Sequence, residues 1–136
     1  MRKLALLVTI AAGFVLVPAA LASPTVRLTL IHVMRGCHVW GNADSQPLGA
    51  VDTVDLKRGS RIEIRVSCPM AFDVKQVTGP KLALGNPRWQ TGTTHTVVFK
   101  KVGVYKLKAF NVQTSKEMNL ETLGPDNTPV LIVRVR

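Results

Sequence analysis

The feature that most constrains the fold is an alternation of apolar and polar residues with a period of two. Residues 61–67 read RIEIRVS, and the run PVLIVRVR closes the chain with the same alternation. In a β-strand, successive side chains point to opposite faces, so such a run buries one face and exposes the other. An amphipathic helix would instead repeat its apolar residues every three or four positions. The pattern therefore predicts half-buried strands.

Clusters of glycine, proline and asparagine separate these runs, for example Gly79-Pro80, Gly85-Asn86-Pro87 and GPDNTP at residues 124–129. About seven or eight short strands at this spacing are typical of a β-sandwich or barrel. Residues 115–123 (SKEMNLETL) are the exception, because Ser115 can cap a helical turn there. We expect an all-β Greek-key sandwich with one core.

The first 22 residues have the features of a secretory signal peptide. Two basic residues precede an apolar run at residues 4–17, and residues 20–22 read ALA, which offers small residues to a signal peptidase. The run is shorter than the about 20 helical residues that span a bilayer. We expect cleavage before Ser23, a single domain over residues 23–136, and a periplasmic or extracellular product that is not an integral membrane protein. The alternative is an uncleaved anchor.

The charge of the chain bears on its partners. Lysine and arginine number 18 against 8 aspartate and glutamate residues. Such an excess favours attraction to anionic surfaces and polymers. Aromatic residues do not alternate with the basic ones, as they do on stacking platforms for nucleic acids, and the export signal also argues against such a role. We expect an envelope partner or an anionic polymer, and no nucleic acid.

Several short motifs follow one another in an order that resembles cupredoxins, the blue copper fold, and in particular small exported bacterial domains of that kind. The resemblance covers nearly all of residues 23–136. It rests on Cys37-His38-Val39-Trp40, on Leu56-x-x-Gly59 before the RIEIRV strand, on the loop Cys68-Pro69-Met70, and on Phe99-x-x-x-Gly103-x-Tyr105. The resemblance implies a Greek-key sandwich whose relatives carry copper at one end.

The resemblance also shows where the copper ligands are missing. A type 1 copper centre needs two imidazoles and a thiolate, with a weak axial ligand. The resemblance places the first histidine at Phe72, the cysteine at Ala109 and the second histidine near Val112. None of these side chains coordinates a metal. We therefore expect the fold without a type 1 copper centre, and no cofactor.

Other soft donors leave copper open as an alternative. The cupredoxin layout brings the loops of His38, Met70 and Met118 to one end, and imidazole with thioether selects copper(I). His95 is a further candidate ligand. Each also has a structural interpretation: methionine is commonly core filler, His38 would bond to backbone, and His95 would pack at a strand start. We expect His32, on the inward phase of the first strand, to be a core or strand-end residue.

The two cysteines, Cys37 and Cys68, are expected to form a disulfide because the chain is exported. The alternative is that one of them serves as a thiolate ligand for copper. The sequence contains no Gly-x-Ser-x-Gly, no His-Glu-x-x-His and no paired carboxylates at a recognisable spacing, so we expect no enzyme activity. The sequence thus predicts a secreted cupredoxin-fold binding or structural module. The alternative is a copper carrier or electron-transfer protein that uses a His/Met site.

Overall fold

The structure is a computed structural model that describes residues 24–33, 38–112 and 128–136. All regular elements in these ranges are strands. They are β1 (Thr25–His32), β2 (His38–Gly41), β3 (Pro47–Gly49), β4 (Val51–Leu56), β5 (Arg61–Val66), β6 (Ala71–Thr78), β7 (Arg88–Trp89), β8 (Thr94–Val98), β9 (Gly103–Val112) and β10 (Val130–Val135). The described ranges contain no helix long and apolar enough to cross a bilayer.

The strands form two five-stranded sheets, and the predicted all-β sandwich is confirmed. The first sheet has the order β3-β2-β1-β5-β8 and the second β4-β10-β9-β6-β7. Strand β1 runs parallel to β5, and β10 runs parallel to β4. The described ranges hold more strands than expected from the sequence, because the short strands β2, β3 and β7 lack a clear alternation. The expected signal peptide and the helical turn at residues 115–123 lie outside the described residues.

The core lies between the two sheets and is built from every second residue of the long strands. In β5, Ile62, Ile64 and Val66 are fully buried, whereas the arginines between them are exposed. The inward residues of β9 and β10 complete the layer from the second sheet. Five large aromatic side chains in this core are fully buried: Trp40, Phe72, Trp89, Phe99 and Tyr105. Burying such side chains is worth roughly 1.5–3 kcal/mol each, which makes this layer the main source of stability.

His32 was expected to be a core or strand-end residue, and it is the last residue of β1, where it is exposed. Thr29 and Ile31, on the opposite phase of β1, are buried although a half-buried strand would expose them. The reason is that the chain after β2 covers the outer face of β1. The Thr29 hydroxyl donates a hydrogen bond to the Asn42 carbonyl oxygen at 3.0 Å. Four consecutive residues of β1 are therefore buried, and His32 lies just beyond the covered part.

The chain changes sheet five times, at β3–β4, β4–β5, β5–β6, β7–β8 and β8–β9, so turns from both sheets meet at each end of the sandwich. At one end β1 finishes and β2 and β6 begin; we call it the histidine end, after His32 and His38. At the other end the turn after β4 meets the end of β8, where the Gly59 amide donates to the Phe99 carbonyl oxygen at 2.8 Å. We call it the lysine end.

Gly79 marks a tight approach between β6 and β9. It has φ of 102°, and an added Cβ would lie 2.6 Å from the Val104 carbonyl oxygen and 2.9 Å from the Tyr105 Cα. Both atoms belong to the backbone of β9 and cannot turn aside. Glycine is needed here for its conformation and for its lack of a side chain.

We expect Gly79→Ala to lower the free energy of unfolding by about 2–5 kcal/mol, because a clash with backbone adds to the cost of a left-handed residue. Gly92→Ala is the matched control: Gly92 has φ of 78°, and no atom lies within 4 Å of the added Cβ. It should lose only about 1–2 kcal/mol. Urea denaturation measures both losses. Equal losses would show that the approach of β9 is not the reason for the glycine.

Candidate functional site

The histidine end brings two imidazoles together. Strands β1 and β2 are antiparallel, and their register places His32 opposite His38. The His32 Nδ1 and His38 Nε2 atoms are 3.4 Å apart, and the rings meet edge to face with centroids 5.2 Å apart. His38 is 1% exposed, whereas His32 faces solvent. The pair therefore links the interior of the sandwich to its surface.

Phe72 lies beneath His38. The two rings meet edge to face, with centroids 5.3 Å apart, and Phe72 is fully buried. On the neighbouring strand, Ala109 is also fully buried and is the register partner of Val74. Phe72 and Ala109 occupy the positions where the resemblance to cupredoxins places a histidine and a cysteine. At both positions the interior contains hydrocarbon.

Met70 is the second soft donor that the structure describes at this end. Its side chain is partly buried, and the Asn111 Nδ2 atom donates a hydrogen bond to its Sδ at 2.9 Å. Asn111 is the register partner of Phe72, which in turn contacts His38. His38 thus contacts Phe72, and Met70 contacts the register partner of Phe72, Asn111. His38 and Met70 are two of the ligands predicted from the sequence. Met118, the third predicted ligand, lies outside the described residues.

Cys68 has no disulfide partner among the described residues and has no exposed surface. Its Sγ donates to the Met70 carbonyl oxygen at 3.8 Å, and burial raises its pKa to about 11. At neutral pH this side chain is therefore a thiol, which is a poor nucleophile and a poor ligand compared with a thiolate. Cys37 lies outside the described residues, so the Cys37–Cys68 disulfide stays a prediction.

His95 has different neighbours. It lies on β8 and stacks on Trp89 with centroids 4.4 Å apart and planes 7° from parallel. Its Nε2 is 2.7 Å from the Thr93 Oγ1. Burial lowers the pKa of His95 below its usual value of 6.5, which favours the neutral ring. Its contacts are with Trp89 and Thr93 rather than with His38 or Met70. The His95 ring thereby packs β8 against β7.

No group of three or more His, Cys, Asp and Glu side chains in the described ranges is placed to hold a metal ion. What this end offers is the His32–His38 pair, with Met70 connected to it through Phe72 and Asn111. The proposed set of His38, Met70, Met118 and His95 stays a prediction.

Sequence reasoning did not assign His32 or Asn111 to this site. A signal for His32 was present, since Arg35-Gly36 is a turn signal midway between the two histidines. Antiparallel pairing around such a turn brings residues at equal distances from it face to face. Asn111 carried no comparable signal, because its partner Met70 is distant in the sequence.

No family model matches the sequence, and a comparison with curated proteins finds no match. Among solved structures, the chain is similar to a cysteine protease inhibitor from Entamoeba histolytica, with a TM-score of 0.45, 15% identity and coverage of 82% of this chain and 95% of that chain. It is also similar to a purple cupredoxin from Nitrosopumilus maritimus, with a TM-score of 0.44, 16% identity and coverage of 79% and 98%. The reduced Cu(I) form of an amicyanin mutant gives a TM-score of 0.42, 15% identity and coverage of 86% and 87%. These similarities concern the arrangement of strands and carry no argument about function.

The environment of His95 predicts a pH dependence of stability. Its pKa in the folded state lies below the usual 6.5, so the unfolded chain binds this proton more readily. The folded state should therefore lose stability as the pH falls through 6.5, and the loss should be complete below the folded pKa. We expect a smaller loss in His95→Gln than in the unmodified protein. Urea denaturation between about pH 7.5 and about pH 5 measures both slopes. Equal slopes would contradict the assignment.

Proposed function

We propose that this protein is an exported, non-enzymatic binding or structural module: a cupredoxin-like β-sandwich without a type 1 copper centre. The observation that supports this most directly is the full burial of Phe72 and Ala109. They occupy the places where a type 1 centre would need an imidazole and a thiolate. Hydrocarbon in these places stabilises the core by its burial and provides no metal ligand.

The protonation state of Cys68 supports the same proposal. A type 1 centre depends on a thiolate. The raised pKa of about 11 keeps Cys68 in the thiol form, and its Sγ is directed to the Met70 carbonyl oxygen. A disulfide with Cys37 would also remove it as a ligand. In the absence of a metal, Cys68 is therefore a thiol or one half of a disulfide rather than a thiolate.

The layout of the sandwich suits a module whose loops do the recognising. One cluster of buried apolar residues, from Leu28 of β1 to Val135 of β10, packs the two sheets against each other. Turns from both sheets converge at each end, so side chains far apart in the sequence form one surface there. Binding residues are commonly found on loops that a rigid scaffold positions in this way. The signal-like residues 1–22 support a place outside the cytoplasm.

The absorption spectrum after copper(II) addition tests the proposal. We expect no intense visible band of a copper–thiolate bond, because among the residues that the structure describes no thiolate faces an imidazole pair at this end. Copper analysis after desalting gives the bound amount. Cys68→Ser is the control, since it removes the described thiol and should leave the spectrum unchanged. An intense band that Cys68→Ser abolishes would overturn the proposal.

A second candidate function is copper(I) binding at the histidine end, and the His32–His38 spacing favours it. Two nitrogen ligands with bonds of about 2.0–2.1 Å at a tetrahedral angle lie about 3.3–3.4 Å apart. The observed separation of His32 Nδ1 and His38 Nε2 is 3.4 Å. Imidazole together with the Met70 thioether suits a soft cation. His32 and His38 would hold the ion, and Met70 would be the third ligand after a side-chain rotation.

Copper(I) titration against a competing chelator under reducing conditions tests this candidate. We expect His32→Ala and His38→Ala each to weaken binding by at least about tenfold, because each removes one of two facing nitrogens. His95→Ala is the matched control, since its ring stacks on Trp89 instead, and its affinity should match that of the unmodified protein. Three equal losses, or binding by the unmodified protein no tighter than by His38→Ala, would exclude this site.

A further inference from the structure

The described residues at the lysine end include six exposed cationic side chains: Lys57, Arg58, Lys81, Lys100, Lys101 and Arg136. Backbone hydrogen bonds bring their turns together. The Gly59 amide donates to the Phe99 carbonyl oxygen at 2.8 Å, and the Arg58 amide donates to the Arg136 carbonyl oxygen at 3.0 Å. The turn after β4 and the turn after β8 are therefore neighbours, although about forty residues separate them in sequence.

The segment that carries Lys81 is packed against the same end. At Gly103, the first residue of β9, an added Cβ would lie 3.0 Å from the ring of Pro80. The Tyr105 hydroxyl donates to the Lys101 carbonyl oxygen at 2.6 Å and holds the turn before β9. The backbone at Lys81 and Lys101 is thus held in place by packing and hydrogen bonding.

A cavity of about 290 Å³ opens between these segments. The ammonium-bearing side chains of Lys81, Lys100 and Lys101 line it together with the apolar side chains of Leu82 and Val98. No aspartate or glutamate is among the residues that line it. The cavity therefore combines positive charge with an apolar wall.

The positive side chains at this end take no part in the ion pairs found within the described part of the chain. The two ion pairs found there are Arg27–Glu63 and Arg88–Asp73, and neither includes a residue of the lysine end. Like charges held close together repel each other and raise the local concentration of anions. The lysine end is therefore suited to a partner that presents several negative charges over a surface.

Exposed valines accompany these charges. Val102, at the tip of the turn before β9, is 60% exposed, and the nearby Val98 and Val104 are 41% and 57% exposed. A soluble polyanion would neutralise the lysines and leave these valines in water. A bilayer with anionic phospholipids offers phosphate groups and, directly beneath them, an apolar layer. The combination favours a membrane surface over a soluble polymer.

We propose that the lysine end docks onto the surface of a membrane that contains anionic phospholipids. The lysine ammonium groups contact lipid phosphates, one phosphate enters the cavity beside Lys81 and Lys101, and Val102 reaches the interfacial layer. This docking is independent of the module's proposed lack of type 1 copper, because it uses the opposite end of the sandwich.

Co-sedimentation of the full chain with lipid vesicles tests the proposal. One set of vesicles contains phosphatidylcholine alone, and the other also contains phosphatidylglycerol. Comparing variants of the same full chain cancels the contribution of the apolar N-terminal residues. We expect stronger binding to the anionic vesicles. Lys100→Gln/Lys101→Gln should weaken it roughly 30-fold, because each basic residue near an anionic surface contributes about fivefold. Val102→Ser should weaken it severalfold by removing apolar contact.

Lys75→Gln/Lys108→Gln is the matched control. It removes the same charge from two lysines that face each other on β6 and β9, away from the lysine end. Its binding should stay within a few-fold of the unmodified protein, and urea denaturation confirms that each variant is folded. If both double variants lost vesicle binding equally, the effect would depend on net charge alone, and the proposal would be overturned. Equal binding to the neutral and the anionic vesicles would also overturn the proposal. The same holds if Val102→Ser left vesicle binding unchanged while the protein bound soluble polyphosphate tightly.

Discussion

The apolar layer between the two sheets is the constraint on which the rest of the structure depends. Neither sheet covers its inner face alone, so the side chains of β5 and β1 have to meet those of β9 and β10. Packing the two sheets together removes these apolar side chains from water. This burial keeps the same residues of each strand facing inward. A slip of one residue in β9 would turn Tyr105 and Leu107 outward and Lys106 inward, at a cost of several kcal/mol. The register of the second sheet is set in this way.

The same layer determines what the histidine end is able to do. Phe72 continues the hydrocarbon of the core up to the end of the sandwich and contacts His38 directly. The Phe72 side chain offers no metal donor at this position, and the polar groups next to it are the buried His38 imidazole and its exposed partner His32. Burial also keeps Cys68 protonated. The described part of this end therefore combines a buried imidazole, an exposed imidazole and a protonated thiol with the hydrocarbon of Phe72.

The two ends differ in charge because the turns of a sandwich are not restricted by the core. The core tolerates only apolar side chains, whereas the turns at the ends accept any residue that their backbone conformation allows. At one end the strand ends and the following loop carry imidazole and thioether, and at the other the turns carry Lys57, Lys100 and Lys101. The proposed copper(I) site and the proposed membrane contact therefore do not compete for the same surface, and both use a rigid middle that takes no part in recognition.

The sequence by itself determined the strands of the core, because alternation with a period of two is a local property that burial on one face requires. It placed Ile62, Ile64 and Val66 inside correctly, and it placed hydrocarbon at Phe72 and Ala109. Only the tertiary structure decided which side chains meet across the sandwich. Thr29 proved to be buried because a loop covers the outer face of β1, and His95 stacks on Trp89 of the other sheet. Such contacts depend on how two sheets stack and where turns converge, and no short window of sequence contains that information.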